Sequence, residues 1–227
     1  MIRLIVRRVT GRDYAFGSGD LSYMLSKGGL PLLRGLGWSS LRLRRWNGLM
    51  LGPNIQWVMA RRIRFGRGVL IGAFGYVDGS ARNGIILGDR VTIREHAWIQ
   101  GRSGLNDPAD GLWIGDRTYI GPRAVIGIGG PIRIGRGVQA GAGLTITAEA
   151  HAADAAGSFV SGSTDRRGVT IGDRCWIGNN VSILDGVEIG ADCVIGAGSL
   201  VTRSIPSGSV AFGVPARVRR AAASKDV

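Results

Sequence analysis

The sequence predicts an all-β fold, a solenoid of parallel coils with a triangular cross-section. Three observations carry this. Aliphatic residues recur every six positions in a ladder that runs through most of the chain. Glycine is abundant, at 39 of 227 residues, a level that helical bundles do not tolerate because each site costs roughly 1 kcal/mol against alanine. The apolar spacing of three and four that marks a helix is absent from the ladder. Regularly placed glycine in an aliphatic chain points to a repeat with a tight bend in each unit.

The ladder reads directly from the residues. Phe65, Ile71 and Val77 are followed by Leu87, Ile93 and Ile99, then Ile114, Ile120 and Ile126, then Ile134, Ala140 and Ile146. After a break come Ile171, Ile177 and Ile183, and finally Ile189, Ile195 and Val201. Each triple is one 18-residue coil, so about six coils are expected. The position four after each aliphatic is mostly small or β-branched: Val69, Val91, Ala97, Thr118, Ala124, Val138, Val181, Val187. Cys175 and Cys193 fall at the same position, one coil apart. One inward aliphatic and one inward small residue per six suit three short strands forming the faces of a prism, with coils about 4.8 Å apart. Glycine, Asp and Asn are expected at the corners, where special backbone angles are needed.

This pattern resembles the hexapeptide-repeat acyltransferases. The resemblance covers roughly residues 61–220 and is densest from Gly168 to Gly190, continuing through Ile195–Pro206 and Gly213–Arg220. It implies a left-handed parallel β-helix; spacing alone does not set the hand, and the general rule for parallel crossovers favours the right. The last portion is similar to sugar and polysaccharide O-acetyltransferases that use acetyl-CoA, which implies an acetyl-CoA cosubstrate, a sugar or glycan acceptor and a homotrimer.

Three parts are expected: a basic N-terminal arm or cap (1–60), the β-helix (61–205, with loop 147–169 inserted) and a C-terminal coenzyme-binding tail (206–227). The loop is the largest interruption, since the step from 134 to 171 holds 19 residues beyond a coil. A solenoid accepts insertions only as loops leaving its corners. The loop carries His151, one of two histidines. Acyl transfer to a hydroxyl needs a base beside that hydroxyl, and imidazole suits the task at neutral pH. Similar enzymes place their catalytic histidine where such a loop leaves the coil after a Thr-Ala-like run, here Thr147-Ala148. A surface-loop histidine is the plain alternative. Glu149 or Asp154 is expected to hold the other ring nitrogen.

The resemblance supplies further candidates. The backbone amide of Asn179 matches the group that steadies the tetrahedral oxyanion, a role that needs geometry rather than a side chain, so that substituting Asn179 is expected to be almost silent. Trp176 and Gly178 lie beside it. Trp176 points outward by parity, as a trimer-interface aromatic also would. Ala197, Gly198 and Ser199 would offer amides to the coenzyme arm, with Thr202, Arg203, Arg217 and Arg220 toward its phosphates. His96, with Glu95 and Trp98, is a candidate for the acceptor side, although two coils place it about 10 Å from His151 along the stack. One departure stands out. Similar acetyltransferases of small sugars often carry an Asn one coil before the histidine, and that place here reads Gly121-Pro122.

The net charge of +13 is an N-terminal property: residues 1–68 hold 13 Arg/Lys against Asp13 and Asp20, or +11, while 69–227 hold 16 against 14, or +2. Residues 1–60 fit a cap over the open first coil, or a basic amphipathic segment on an anionic membrane. No apolar run of 18 exists and the start lacks a signal peptide's apolar stretch, so cytoplasmic residence is expected, with the inner face of the membrane as an added location. Cys175 and Cys193 lie within disulfide reach of each other but are expected to be reduced core residues. No metal is expected; a zinc hydratase of this fold needs three histidines. No nucleic-acid partner is expected. The leading reading is an O-acetyltransferase using direct transfer with a histidine base. N-acetylation of a nucleotide amino-sugar and a non-enzymatic basic solenoid binding membrane or nucleic acid are the alternatives.

Overall fold

A computed structural model describes residues 25–101, 108–159 and 163–220. The chain winds as a left-handed parallel β-helix with three faces of nine, seven and six strands. Every ladder residue from Ile71 to Val201 is buried, and so are the small residues between them, among them Val69, Ala97, Ala124, Val138 and Val181. Burying an aliphatic side chain is worth about 1.5–3 kcal/mol, so this single column of side chains supplies most of the driving force. Thr118 is a polar member of the column; its hydroxyl donates to the Gly135 carbonyl at 2.7 Å and accepts from the Val138 amide at 3.2 Å. Cys175 and Cys193 are both free and buried, their thiols donating to the carbonyls of Gly190 and Pro206 at 3.0 and 3.1 Å. Burial pushes the Cys175 thiol up to about 11. The folded state therefore keeps that proton where the unfolded chain would release it, and stability falls as pH rises from about 9 through 11.

The seven-stranded face holds one strand per coil, one coil more than the ladder predicts. The additional coil begins at Met50, ahead of the expected boundary at 61: Met50–Leu51 pairs with Leu70–Ile71, and Gln56–Val58 with Tyr76–Asp78. It escapes the six-residue rule because Trp57 takes an inward position and a turn of 3-10 helix at Ala60–Arg62 lengthens the next corner. Helix α1 (Leu30–Leu41), entered through a π-helical turn at Leu25–Gly29, lies over this first coil. Trp38 of α1 packs on Trp57 and Phe65, ring centroids 5.5 and 5.4 Å apart, and Arg44 donates to the carbonyls of Ile63 and Arg61 at 2.8 Å. Residues 30–44 thus cover the first coil, and the rest of the described arm is part of it.

The corners meet the expectation in part: Gly68, Gly137, Gly186, Gly198, Asn180 and Asp192 take a positive φ there. The glycines directly after ladder aliphatics do not carry a positive φ; at all of them but Gly127 the next coil passes too close for a side chain. A Cβ on Gly121 would stand 2.5 Å from the Gly141 carbonyl carbon, and one on Gly178 2.5 Å from the Ala197 nitrogen. The left-handed turn falls two residues later, on Arg90, His96, Arg117, Arg123, Arg174, Asn180 and Asp192 as well as on glycines. Asp89 and Asp173 accept amides from the preceding coil, those of Arg67 and Arg136, at 2.8 Å. These amides, with the guanidinium groups of the same arginines, hold both carboxyls below their ordinary range. Gly121→Ala is expected to cost about 3 kcal/mol or more, because the obstacle is backbone. Gly137→Ala, at φ +67° with its nearest neighbour 3.8 Å away, should cost about 1 kcal/mol. Urea denaturation of the two variants measures both; the reverse order would contradict the close-approach explanation.

Candidate active site

The loop leaves the corner between the seven- and six-stranded faces, after Thr145–Thr147 and before Val169–Ile171. Ala148 is still in the core. Beyond it Ala150–His151 pairs antiparallel with Thr164–Asp165, so the loop starts and ends as a short hairpin. His151 is opposite Thr164 in register, and its Nδ1 lies 3.3 Å from the Thr164 hydroxyl. Its Nε2 faces Glu149 Oε1 at 3.8 Å, and Glu149 Oε2 is 3.9 Å from Arg166 Nε. The imidazole side chain is 50% exposed while that of Glu149 is 27% exposed. An accessible ring is thus held between a hydroxyl on one nitrogen and a half-buried carboxylate near the other. The loop's return is anchored by Asp185, whose side chain is 2% exposed and accepts from the amides of Arg167 and Gly168 at 3.1 and 2.7 Å.

Of the two carboxylates expected beside the ring, Glu149 is there. Asp154 Oδ1 instead accepts from the amides of Ala156 and Ser158 at 2.9 Å and shapes the turn further along the loop. Thr164, Arg166 and Asp185 were not singled out by the sequence; their roles depend on the hairpin register, which no periodicity announces.

The remaining candidates sit on other parts of the prism. Trp176 is exposed on the nine-stranded face. Asn179 and, one coil on, Ala197 and Gly198 stack at the corner between the nine- and seven-stranded faces. Gly178 is buried there, and the Gly198 amide donates to the Asn179 carbonyl at 2.8 Å. His151 and Asn179 therefore occupy different edges of one chain. Ser199 is a correction: it is buried, donates to the Gly196 carbonyl at 2.6 Å and accepts from the Gly213 amide at 3.2 Å, so its hydroxyl ties the tail to the last coil. Thr202 and Arg203 are exposed at the corner from which the His151 loop leaves, two coils further on. The tail folds as a hairpin, Val210–Gly213 against Ala216–Arg220, turning through Val214-Pro215. Arg217 is exposed on it, and Arg220 closes its second strand.

His96 stands at the Asn179 edge at φ +59°, its ring stacked on Phe74 at 5.3 Å. Trp98 is stacked on Tyr76 at 4.4 Å and donates to Gln100 at 2.8 Å, while Glu95 takes both nitrogens of Arg94 at 2.8 and 2.9 Å. The structure does not bring this group to His151. Gly121-Pro122 is also at the Asn179 edge. Among the described residues no three His, Cys, Asp or Glu side chains cluster as a metal site.

Comparison with known proteins follows the same geometry. The family described as bacterial transferase hexapeptide (six repeats) matches residues 168–203, and the hexapeptide repeat of succinyl-transferase matches 111–148. Between the two matches lies the loop with His151. The galactoside O-acetyltransferase of Escherichia coli K12 is 53% identical over 58 residues, 26% of this chain and 29% of that protein. The enzyme of the same name from Lactococcus lactis is 49% identical over 59 residues, 26% and 28% of the two chains. The chain thus matches under a third of the length of these curated relatives. A mutant of AntD, an N-acyltransferase from Bacillus cereus solved in complex with dTDP and coenzyme A, aligns over 76% of this chain and 79% of its own, at 18% identity and a TM-score of 0.50. That likeness speaks for the fold.

The Asn179 side chain is not idle. Its Oδ1 accepts the Ala142 amide from the preceding coil at 2.8 Å, the job Asp89 and Asp173 do at another edge. Asn179→Ala is expected to lose about 1 kcal/mol of stability and Asn179→Asp much less. Urea unfolding that ranks both variants with the parent chain would return the residue to its backbone role alone.

Proposed function

We propose that the protein is an acetyl-CoA-dependent O-acetyltransferase acting on a hydroxyl of a sugar or glycan. The observation that carries this is the accessible His151 imidazole, set between Glu149 and Thr164 on a loop that interrupts two transferase hexapeptide matches. The local identity to galactoside O-acetyltransferases supports a hydroxyl acceptor over an amine. Glu149, 3.8 Å from Nε2, is placed to orient the ring, with Nδ1 beside the Thr164 hydroxyl as the nitrogen left to act as base. His151 takes the acceptor hydroxyl's proton while the oxygen attacks the thioester carbonyl. The carbon–sulfur bond then breaks, and the imidazolium returns the proton to the leaving thiolate. No acyl-enzyme is formed.

The active unit in this proposal is a homotrimer with prisms side by side. Rotation about an axis parallel to the prism keeps each coil at its own height. The His151 edge of one subunit then meets the Asn179 edge of the next, at adjacent coils of the stack. The Asn179 amide would face the oxyanion. Trp176, Ala197 and Gly198 would line the coenzyme's path, and Thr202, Arg203, Arg217 and Arg220 would lie toward its phosphates. His96 and Trp98 stand about 10 Å along the stack from His151's coil, placed for an acceptor longer than one sugar. Buried reduced thiols and a coenzyme A donor suit cytoplasmic residence.

The test is a steady-state assay with acetyl-CoA, a panel of glycosides and amino-sugar nucleotides as acceptors. His151→Ala should lower kcat by about 10²–10⁴-fold with the oligomer intact. Parental turnover in that variant would overturn the base assignment. Acetylation confined to amines would overturn the choice of acceptor.

A further inference from the structure

The capped end of the prism is built unlike the rest of the surface. Residues 21–77 hold nine Lys or Arg and no Asp or Glu. Helix α1 turns Pro31, Gly35 and Ser39 inward, with Gly35 against the Leu49 backbone. Its opposite side carries Leu30, Leu33, Leu36 and Leu41 at helical spacing, 43 to 85% exposed, and Leu43 just beyond is 97% exposed. A helix that is apolar on both sides is one that is covered on both. Exposed arginines lie at the same end of the prism: Arg34 on the helix, Arg42 and Arg45 after it, Arg61, Arg62 and Arg64 on the first coil. Arg42 lies over Trp38 at 4.3 Å. Beside them a cleft of about 610 Å³ opens among Arg45, Trp46, Asn47, Arg67, Asp89 and Arg90. Arg67 is paired with Asp89 at 2.7 Å, which leaves two cations in excess.

We propose that this end of the protein docks on an anionic lipid bilayer, its leucines entering the interface and its arginines meeting headgroup phosphates. Charge selects this occupant. A second copy would set nine cations against nine, whereas an anionic leaflet complements each basic residue close to it. No described helix is long and apolar enough to cross a membrane, so the contact is a surface one. The proposal stands apart from the acetyl-transfer reading, since it uses no residue of that site.

Cosedimentation of the full chain with vesicles tests it, using phosphatidylcholine alone and phosphatidylcholine with about one quarter phosphatidylglycerol. Binding is expected only to the anionic vesicles, and should fall about tenfold or more in high salt. Leu33→Glu/Leu41→Glu/Leu43→Glu should weaken it about tenfold or more with circular dichroism and oligomeric mass unchanged. Arg34→Gln/Arg61→Gln/Arg64→Gln, which leaves the apolar face intact, should weaken it too. The proposal is overturned if the parent chain stays in the supernatant or binds both vesicles equally. It is also overturned if the leucine variant changes oligomeric mass, or if binding appears only after residues 1–24 are removed; those results would give the face to a second copy or to the chain's own start.

Discussion

The close approach of each coil's backbone to the next at the corners governs this structure. Coils about 4.8 Å apart leave little room for a side chain at most of the bends, hence the glycine after twelve of the eighteen ladder aliphatics. A Cβ at Gly121 or Gly178 would meet backbone at 2.5 Å, and backbone cannot swing aside as a flexible side chain would. The same closeness lets the side chains of Asp89, Asp173 and Asn179 reach an amide of the preceding coil. It also aligns the inward residues into one column, so that packing in one coil fixes the next.

A stack held this way is stiff, and its stiffness decides where chemistry can be placed. Faces and edges keep their order along the whole prism, so residues at different edges of one chain cannot close on each other. His151 and Asn179 are such a pair. An insertion can leave only at a corner, and the loop that bears His151 does so between the seven- and six-stranded faces. Asp185 in the following coil, accepting two amides, anchors its return. The hairpin carries the ring clear of the prism while Glu149, close to the core, stays half-buried beside it. A site that joins this ring to the oxyanion-side amide then requires a neighbouring copy, which is why the functional proposal includes one.

Much of this was legible in the residues, for a physical reason. The inward column repeats strictly, so Ile71 to Val201 could be read without any coordinates, and so could the place where the loop departs. The first coil was not legible, because Trp57 replaces an aliphatic and Ala60–Arg62 adds a turn. Only part of the reason for the corner glycines was legible: Gly137 and Gly198 supply a positive φ as expected, while those directly after ladder aliphatics, such as Gly121 and Gly178, relieve contact between coils. Within the site, Glu149 and Asp154 were equivalent on paper. Only the hairpin and the turn at Asp154 separate them. Ser199 looked like a coenzyme contact from its neighbours and is a buried tie to the tail.

The central claim is that the reacting groups come together only between copies. Mixing two inactive variants, His151→Ala and a Trp176 variant that abolishes turnover, and refolding them together measures this directly. If each site takes its histidine from one subunit and its tryptophan-bearing edge from the next, random mixed trimers regain about a quarter of parental activity. If the mixture stays as inactive as its components, each chain holds its own complete site and the account is wrong.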